Sequence, residues 1–317
     1  VAVATQNLLV DEIRELRRDR RALILAHNYQ RDEVQDVADF VGDSLGLSRQ
    51  AAATDAEVIV FCGVHFMAET AAVLAPDRMV LLPDLEAGCS LAASITADQL
   101  RSWKAEHPGA VVVSYVNTSA AVKAESDYCC TSSNAVQIVE RIPKDQEILF
   151  CPDMFLGSHV ERVTGRKMHV WLGECHVHAA IHGSELESQR QAHPGAEVLI
   201  HPECGCTTAA LDAAERGEFG GATVVTSTEG MVRHAQSSSA DTFIVATEIG
   251  VMHRMRQLAP QKTFLAANPD AICPYMKAIT LERVRDSLRD LKHQITVPTA
   301  IAVRARRALE RMVEVTA

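Results

Sequence analysis

The chain has 317 residues, 47% of them hydrophobic, and a formal net charge of −10. This is enough apolar material for two or three cores, and the charge excludes the basic face that a nucleic-acid binder needs. No apolar run approaches the roughly 18 residues of a membrane span, so neither nucleic acid nor membrane is expected as a partner.

The opening stretch VAVATQNLLVDEIRELRRDRR predicts an amphipathic helix, not a signal peptide. RRALILAHNYQ at 20–30 predicts a buried strand that ends at His27-Asn28-Tyr29. A short helix follows, then a second strand at DFVGDS that runs into a helix near Ser44. EVIVFCG predicts a third strand, HFMAETAAVLAP a helix stopped by proline, and MVLLPDLEAGC a fourth strand and loop ending on Cys89. Thr96 is placed to cap a closing helix.

The same order then recurs twice. EHPGAVVVSYVN at 106–117 and AHPGAEVLIHPE at 192–203 repeat the first strand, ending at Tyr115-Val116-Asn117 and His201-Pro202-Glu203. DYCCTSS and ATVVTST repeat the second, with Ser132 and Thr228 in the place of Ser44. QEILFCP and DTFIVAT repeat the third, and MHVWLGEC and TFLAANPDAIC repeat the fourth, ending on Cys175 and Cys273. Ser184 and Thr280 are the expected caps of the closing helices. A last helix, roughly 299–315, has no counterpart in the first two copies and is expected to pack on the N-terminal helix.

Short apolar strands alternating with amphipathic helices predict an α/β fold with parallel sheets. Repetition at the size of a small domain predicts three homologous three-layer α/β/α domains in a pseudo-threefold arrangement around a central site. The expected boundaries are 1–108, 109–194 and 195–317, the third copy being longer through HPECGCTTAALDAAERGEFGGATVV.

Open parallel sheets bind ligands at the carboxyl ends of their strands. His27, Tyr29, Tyr115, Asn117, His201 and Glu203 follow strand one of each copy, and Ser44, Ser132 and Thr228 follow strand two. Each hydroxyl either caps a helix or meets an anion at the positive end of the helix dipole. Three equivalent thiolates, Cys89, Cys175 and Cys273, would hold a metal or an iron–sulfur cluster with a coordination position left over. Glu203 is placed to carry protons near such a centre. The remaining cysteines read otherwise: Cys62, Cys129, Cys130 and Cys151 as core filler, Cys204 and Cys206 as structural thiols in a reduced, cytoplasmic chain. His178 and His182 have helical spacing, but without a second close pair or HExxH zinc is not favoured. P-loop, GxGxxG and GxSxG motifs are absent.

AHNYQ at 26–30, GDSL at 42–45, FMAETA at 66–71, YVNTSA at 115–120, TSSNAV at 131–136, HPEC at 201–204, STEGM at 227–231 and MKAIT at 276–280 together resemble the iron–sulfur quinolinate synthase A family, in order, over about residues 20–315. The resemblance implies a [4Fe–4S] cluster on Cys89, Cys175 and Cys273, its fourth iron open as a Lewis acid. It implies a carbon–carbon bond-forming transferase of NAD biosynthesis, condensing iminosuccinate with dihydroxyacetone phosphate to quinolinate and releasing phosphate and water. Functional coupling to the enzyme that supplies iminosuccinate is implied with it. Carried over by position, His27, Ser44, Tyr115, Val116, Asn117, Ser132, His178, His201, Pro202, Glu203 and Thr228 line the substrate site, with Glu203, Tyr29, His27 and Tyr115 in catalysis. This chain has only Cys273 in its last ligand loop, where some relatives carry extra cysteines, so a redox switch of that kind is not expected. The alternatives are a diphthamide-type radical enzyme, which the HNY, YVN and HPE segments argue against, and a non-enzymatic cluster sensor.

Overall fold

The structure, a computed structural model, describes residues 2–207, 210 and 222–315. Among the described residues twelve strands form three separate four-stranded parallel sheets. The first contains β1 (Ala22–His27), β2 (Phe40–Gly42), β3 (Val58–Cys62) and β4 (Met79–Leu81) in the order β2-β1-β3-β4. β5 (Val111–Tyr115), β6 (Tyr128–Cys130), β7 (Ile148–Cys151) and β8 (His169–Val170) repeat that order, as do β9 (Glu197–Ile200), β10 (Thr223–Val225), β11 (Thr242–Ala246) and β12 (Thr263–Ala266). The central strands are buried on both faces: every residue of VIVFC in β3 and ILFC in β7 is buried. Helices on both faces explain these continuous apolar runs. Cys62, Cys129, Cys130 and Cys151 are buried core residues, as their runs suggest.

Each closing helix covers the sheet of the next copy. Ala97–Glu106 follows the Cys89 loop, and its Leu100 and Trp103 pack with Val112 and Leu149 of the second sheet. Gly183–Ala192 follows the Cys175 loop and brings Leu186 against Val198 and Ile244 of the third. Leu281–Asp290 follows the Cys273 loop and packs on β3 and the N-terminal helix Ala2–Asp19. There, Arg20 donates to the carbonyls of Leu288 and Arg289. The copies are thus handed over in a ring, which turns the carboxyl ends of all three sheets toward one centre.

Two expectations about helices are corrected. The closing helix of the second copy starts at Gly183 with His182 at its cap position, so Ser184 lies inside its first turn. The Glu185 carboxylate accepts the His182 N–H at 3.0 Å, so the cap residue's own N–H is paired from within the first turn. The C-terminal helix Thr299–Glu314 packs on helices His65–Leu74 and Ala120–Lys123 and on β6, bridging the first two copies. The N-terminal helix is instead partnered by Leu281–Asp290. Asn134 Nδ2 donates to the carbonyls of Met312 and Val315 at 3.0 and 3.2 Å, while its Oδ1 accepts the Thr131 N–H at 2.8 Å. Asn134→Ala is expected to cost about 2 kcal/mol, since it leaves buried backbone groups unpaired. Urea unfolding followed by circular dichroism checks this, and an unchanged midpoint would contradict it.

Among the described residues no helix is long and apolar enough to cross a membrane. Cys204 and Cys206, expected as two thiols, are joined by a disulfide and buried in the core of the third copy. Their separation by a single residue lets the turn after Glu203 bring the two sulfurs together. The longer part of the third copy, 208–209 and 211–221, lies outside the described residues.

Candidate active site

A cavity of about 680 Å³, counting its open mouth, lies where the strand ends converge. Its wall includes His27, Tyr29, Ser44, Tyr115, Asn117, Ser132, His178, His201, Glu203 and Thr228, together with Cys89, Cys175 and Cys273. Val116 and Pro202 are buried at the same strand ends but are not part of the wall. The exposed His182 is not part of it either, so its spacing from buried His178 does not make a metal pair.

The hydroxyls are not capping their helices. Asp43 caps Ser44–Ala53, its Oδ1 accepting the Gly46 N–H at 2.9 Å, and Ser227 caps Thr228–Ser237 by accepting the Gly230 N–H. Ser44 and Thr228 are the first helical residues, so their hydroxyls remain available to the cavity. In the second copy Asn134 holds the cap position, leaving Ser132 in the turn before it.

A polar network runs across the back of the cavity. Tyr115 Oη donates to Glu203 Oε1. The other carboxylate oxygen lies 3.3 Å from His178 Nδ1. His178 Nε2 lies 2.9 Å from Thr247 Oγ1 and 3.2 Å from Tyr29 Oη, which itself lies 2.5 Å from Thr247 Oγ1. The rings of His178 and His201 stack at 4.9 Å. Burial opposes charge on both members of the central pair. Even so, His201 and His178 hold Glu203 below the usual carboxylate range. Tyr29, Cys175 and Glu203 in turn hold His178 well above the usual imidazole value. The pair is therefore an imidazolium and a carboxylate.

His27 and His201 behave differently. Burial lowers both to about 3, reinforced for His27 by His201, so both are neutral. Each accepts at Nδ1 the N–H two residues on, from Tyr29 at 3.2 Å and Glu203 at 3.4 Å. A neutral imidazole accepting at Nδ1 carries its proton on Nε2. His201 Nε2 therefore donates to Ser132 Oγ, 3.2 Å away, and the Nε2–H of His27 is a donor too. Asn117 Oδ1 is buried without a partner, a polar atom left for a ligand.

The three cysteines are free and share the cavity wall. Burial raises the Cys89 thiol, and Cys175 and Cys273 raise it further, so the sulfurs stand within electrostatic reach of one another. Burial pushes Cys273 up to about 11, with Cys175 adding to the rise. Three soft donors that repel as thiolates suit a cationic centre that binds all three. The Ala92 N–H already points at Cys89 Sγ at 3.4 Å. Cys175, His178 and Glu203 also offer ligand atoms within 4.8 Å of one another.

The carboxyl ends of the third strands escaped the sequence reading. Thr247 and Glu248 follow β11, and Glu248, which lines the cavity, accepts the Cys273 N–H at 3.2 Å. Asp153 occupies the place of Glu248 in the second copy and is fully buried. The rule that located the other strand ends would have found these had it been applied to strand three.

The family model described as quinolinate synthetase A protein matches residues 11–314. The chain is 58% identical over 307 residues to a quinolinate synthase of Thermus thermophilus, covering 97% of each chain. It is 58% identical to that of Mycobacterium sp. strain KMS, covering 96% of this chain and 91% of the relative. With the quinolinate synthase of Mycobacterium tuberculosis strain H37Ra it shares 57% identity, over 96% and 88%.

Proposed function

The chain belongs to the quinolinate synthetase A family, enzymes of NAD biosynthesis, and from that premise we propose that it condenses iminosuccinate with dihydroxyacetone phosphate to quinolinate, as a cytoplasmic transferase carrying a [4Fe–4S] cluster. The observation that supports this most directly is the union of three free thiols with hydroxyl, imidazole and carboxylate groups in one cavity. We take the three copies to be residues 1–108, 109–194 and 195–317. Cys89, Cys175 and Cys273 would hold the cluster, which supplies a Lewis acid that polarises oxygen leaving groups. Ser44, Asn117, Ser132 and Thr228 hold carboxylate and phosphate oxygens, and Val116 and Pro202 shape the strand ends that present the wall. His27 and His201 act as neutral donors, directly and through Ser132. Ionised Glu203 takes protons released on enolisation, and His178 and Tyr115 return them to departing oxygens. Tyr29 holds His178 in place.

Anaerobic purification with iron and sulfide analysis, joined to a quinolinate assay, tests this. About four irons and four sulfides per chain are expected. Quinolinate formation by protein that carries less than about one iron after reconstitution would overturn the cluster assignment.

A further inference from the structure

Among the places where the pseudo-threefold repeat breaks is one buried polar position in the first copy. Asn28 stands where the other copies carry Val116 and Pro202, neither of which has a side-chain hydrogen-bonding group. Asn28 is fully buried, and its Nδ2 lies 2.9 Å from Thr228 Oγ1, across the contact between the first and third copies. Its Oδ1 lies 3.1 Å from Arg254 Nη1. Arg254, on helix Val251–Leu258, is held from behind by both oxygens of Glu229, at 2.5 and 3.3 Å.

We infer that Arg254, acting through Asn28, fixes Thr228 as a hydrogen-bond donor to the anionic substrate. This rests on the reading that Thr228 holds a carboxylate or phosphate oxygen. Guanidinium only donates, so the Asn28 group facing it must be the carbonyl. Turning the amide over would set NH₂ against N–H. With the carbonyl fixed, the NH₂ faces Thr228, whose oxygen must accept. The single hydroxyl hydrogen of Thr228 is then left to point into the cavity, where an oxyanion takes it as a charge-assisted bond. Arg254 is therefore a positioning residue, and the chain selects for ligands that present an acceptor.

The test uses cluster-loaded enzyme and calorimetric titration with quinolinate, a dicarboxylate. Thr228→Val is expected to weaken binding about tenfold, the loss of one hydrogen bond to a charged group. Arg254→Met should weaken it about fivefold by freeing the Asn28 amide to turn. Arg254→Lys, also a pure donor, should stay within about twofold. Asn28→Asp should be at least as damaging as Thr228→Val, because aspartate draws the hydroxyl hydrogen away from the cavity. The deciding measurement is the double variant: Arg254→Met on a Thr228→Val background should cause no further loss. A merely structural Arg254 would give additive losses, and additivity, or wild-type affinity in Arg254→Met, overturns the inference. Wild-type affinity in Thr228→Val would instead remove Thr228 from the substrate site and the inference with it.

Discussion

Cys89→Ala, Cys175→Ala and Cys273→Ala should each drop bound iron from about four to below about one per chain and cut quinolinate formation by at least about a thousandfold. Each thiol comes from a different copy, so removing one opens a whole side of the centre. Among the described residues no other cysteine lines the cavity to replace it. Cys62, Cys129, Cys130 and Cys151 are buried in or beside their sheets, and Cys204 and Cys206 are bonded to each other. The loss is expected without unfolding, because separate hydrogen bonds hold the loops. Glu248 takes the Cys273 N–H, and the Ser90 hydroxyl lies 2.6 Å from His176 Nδ1, tying the Cys89 and Cys175 loops. Iron analysis and visible absorption measure the loss, and circular dichroism checks the fold. The double variant Cys204→Ala/Cys206→Ala is the control and should keep its iron. If it lost the cluster while Cys89→Ala kept it, the ligand assignment would be wrong.

That these three of the nine cysteines share one cavity wall was legible because the chain repeats itself. A lone cysteine after a strand says little, whereas three in equivalent loops imply a shared centre once the units close around an axis. The same logic located His27, Tyr115, His201 and Glu203, all in the cavity wall. Other features were hidden for physical reasons. The pattern of Ala97–Glu106 shows that one face is apolar but not which sheet that face covers, and the structure gives it the second. The C-terminal helix was misplaced for the same reason. Asn134 and Arg49, which donate to its last carbonyls, sit far away in sequence. Adjacent Asp43-Ser44 and Ser227-Thr228 pairs leave the cap ambiguous, since either residue has the chemistry. Only the backbone torsion decides, and it assigns the cap to the first of each pair.

Glu203→Gln is the variant with the largest expected effect on turnover at intact composition. Glutamine preserves shape, and its carbonyl can still accept from Tyr115, so the cavity and the three thiols should stand. Iron and sulfide should match the unsubstituted enzyme. Turnover should fall by roughly a hundredfold to ten-thousandfold, the usual worth of a positioned acid or base. The substitution removes the carboxylate that balances His178 at close range: the two side chains are buried together, with Nδ1 and Oε2 3.3 Å apart. A buried imidazolium without its carboxylate gives up its proton. One substitution therefore removes the group that accepts protons and discharges the one that returns them. Single-turnover and steady-state assays should show the loss mainly in kcat, because holding the anionic substrates relies on the hydroxyls and not on a carboxylate that would repel them. A Glu203→Gln enzyme retaining more than about a tenth of normal turnover would take Glu203 out of the proton traffic.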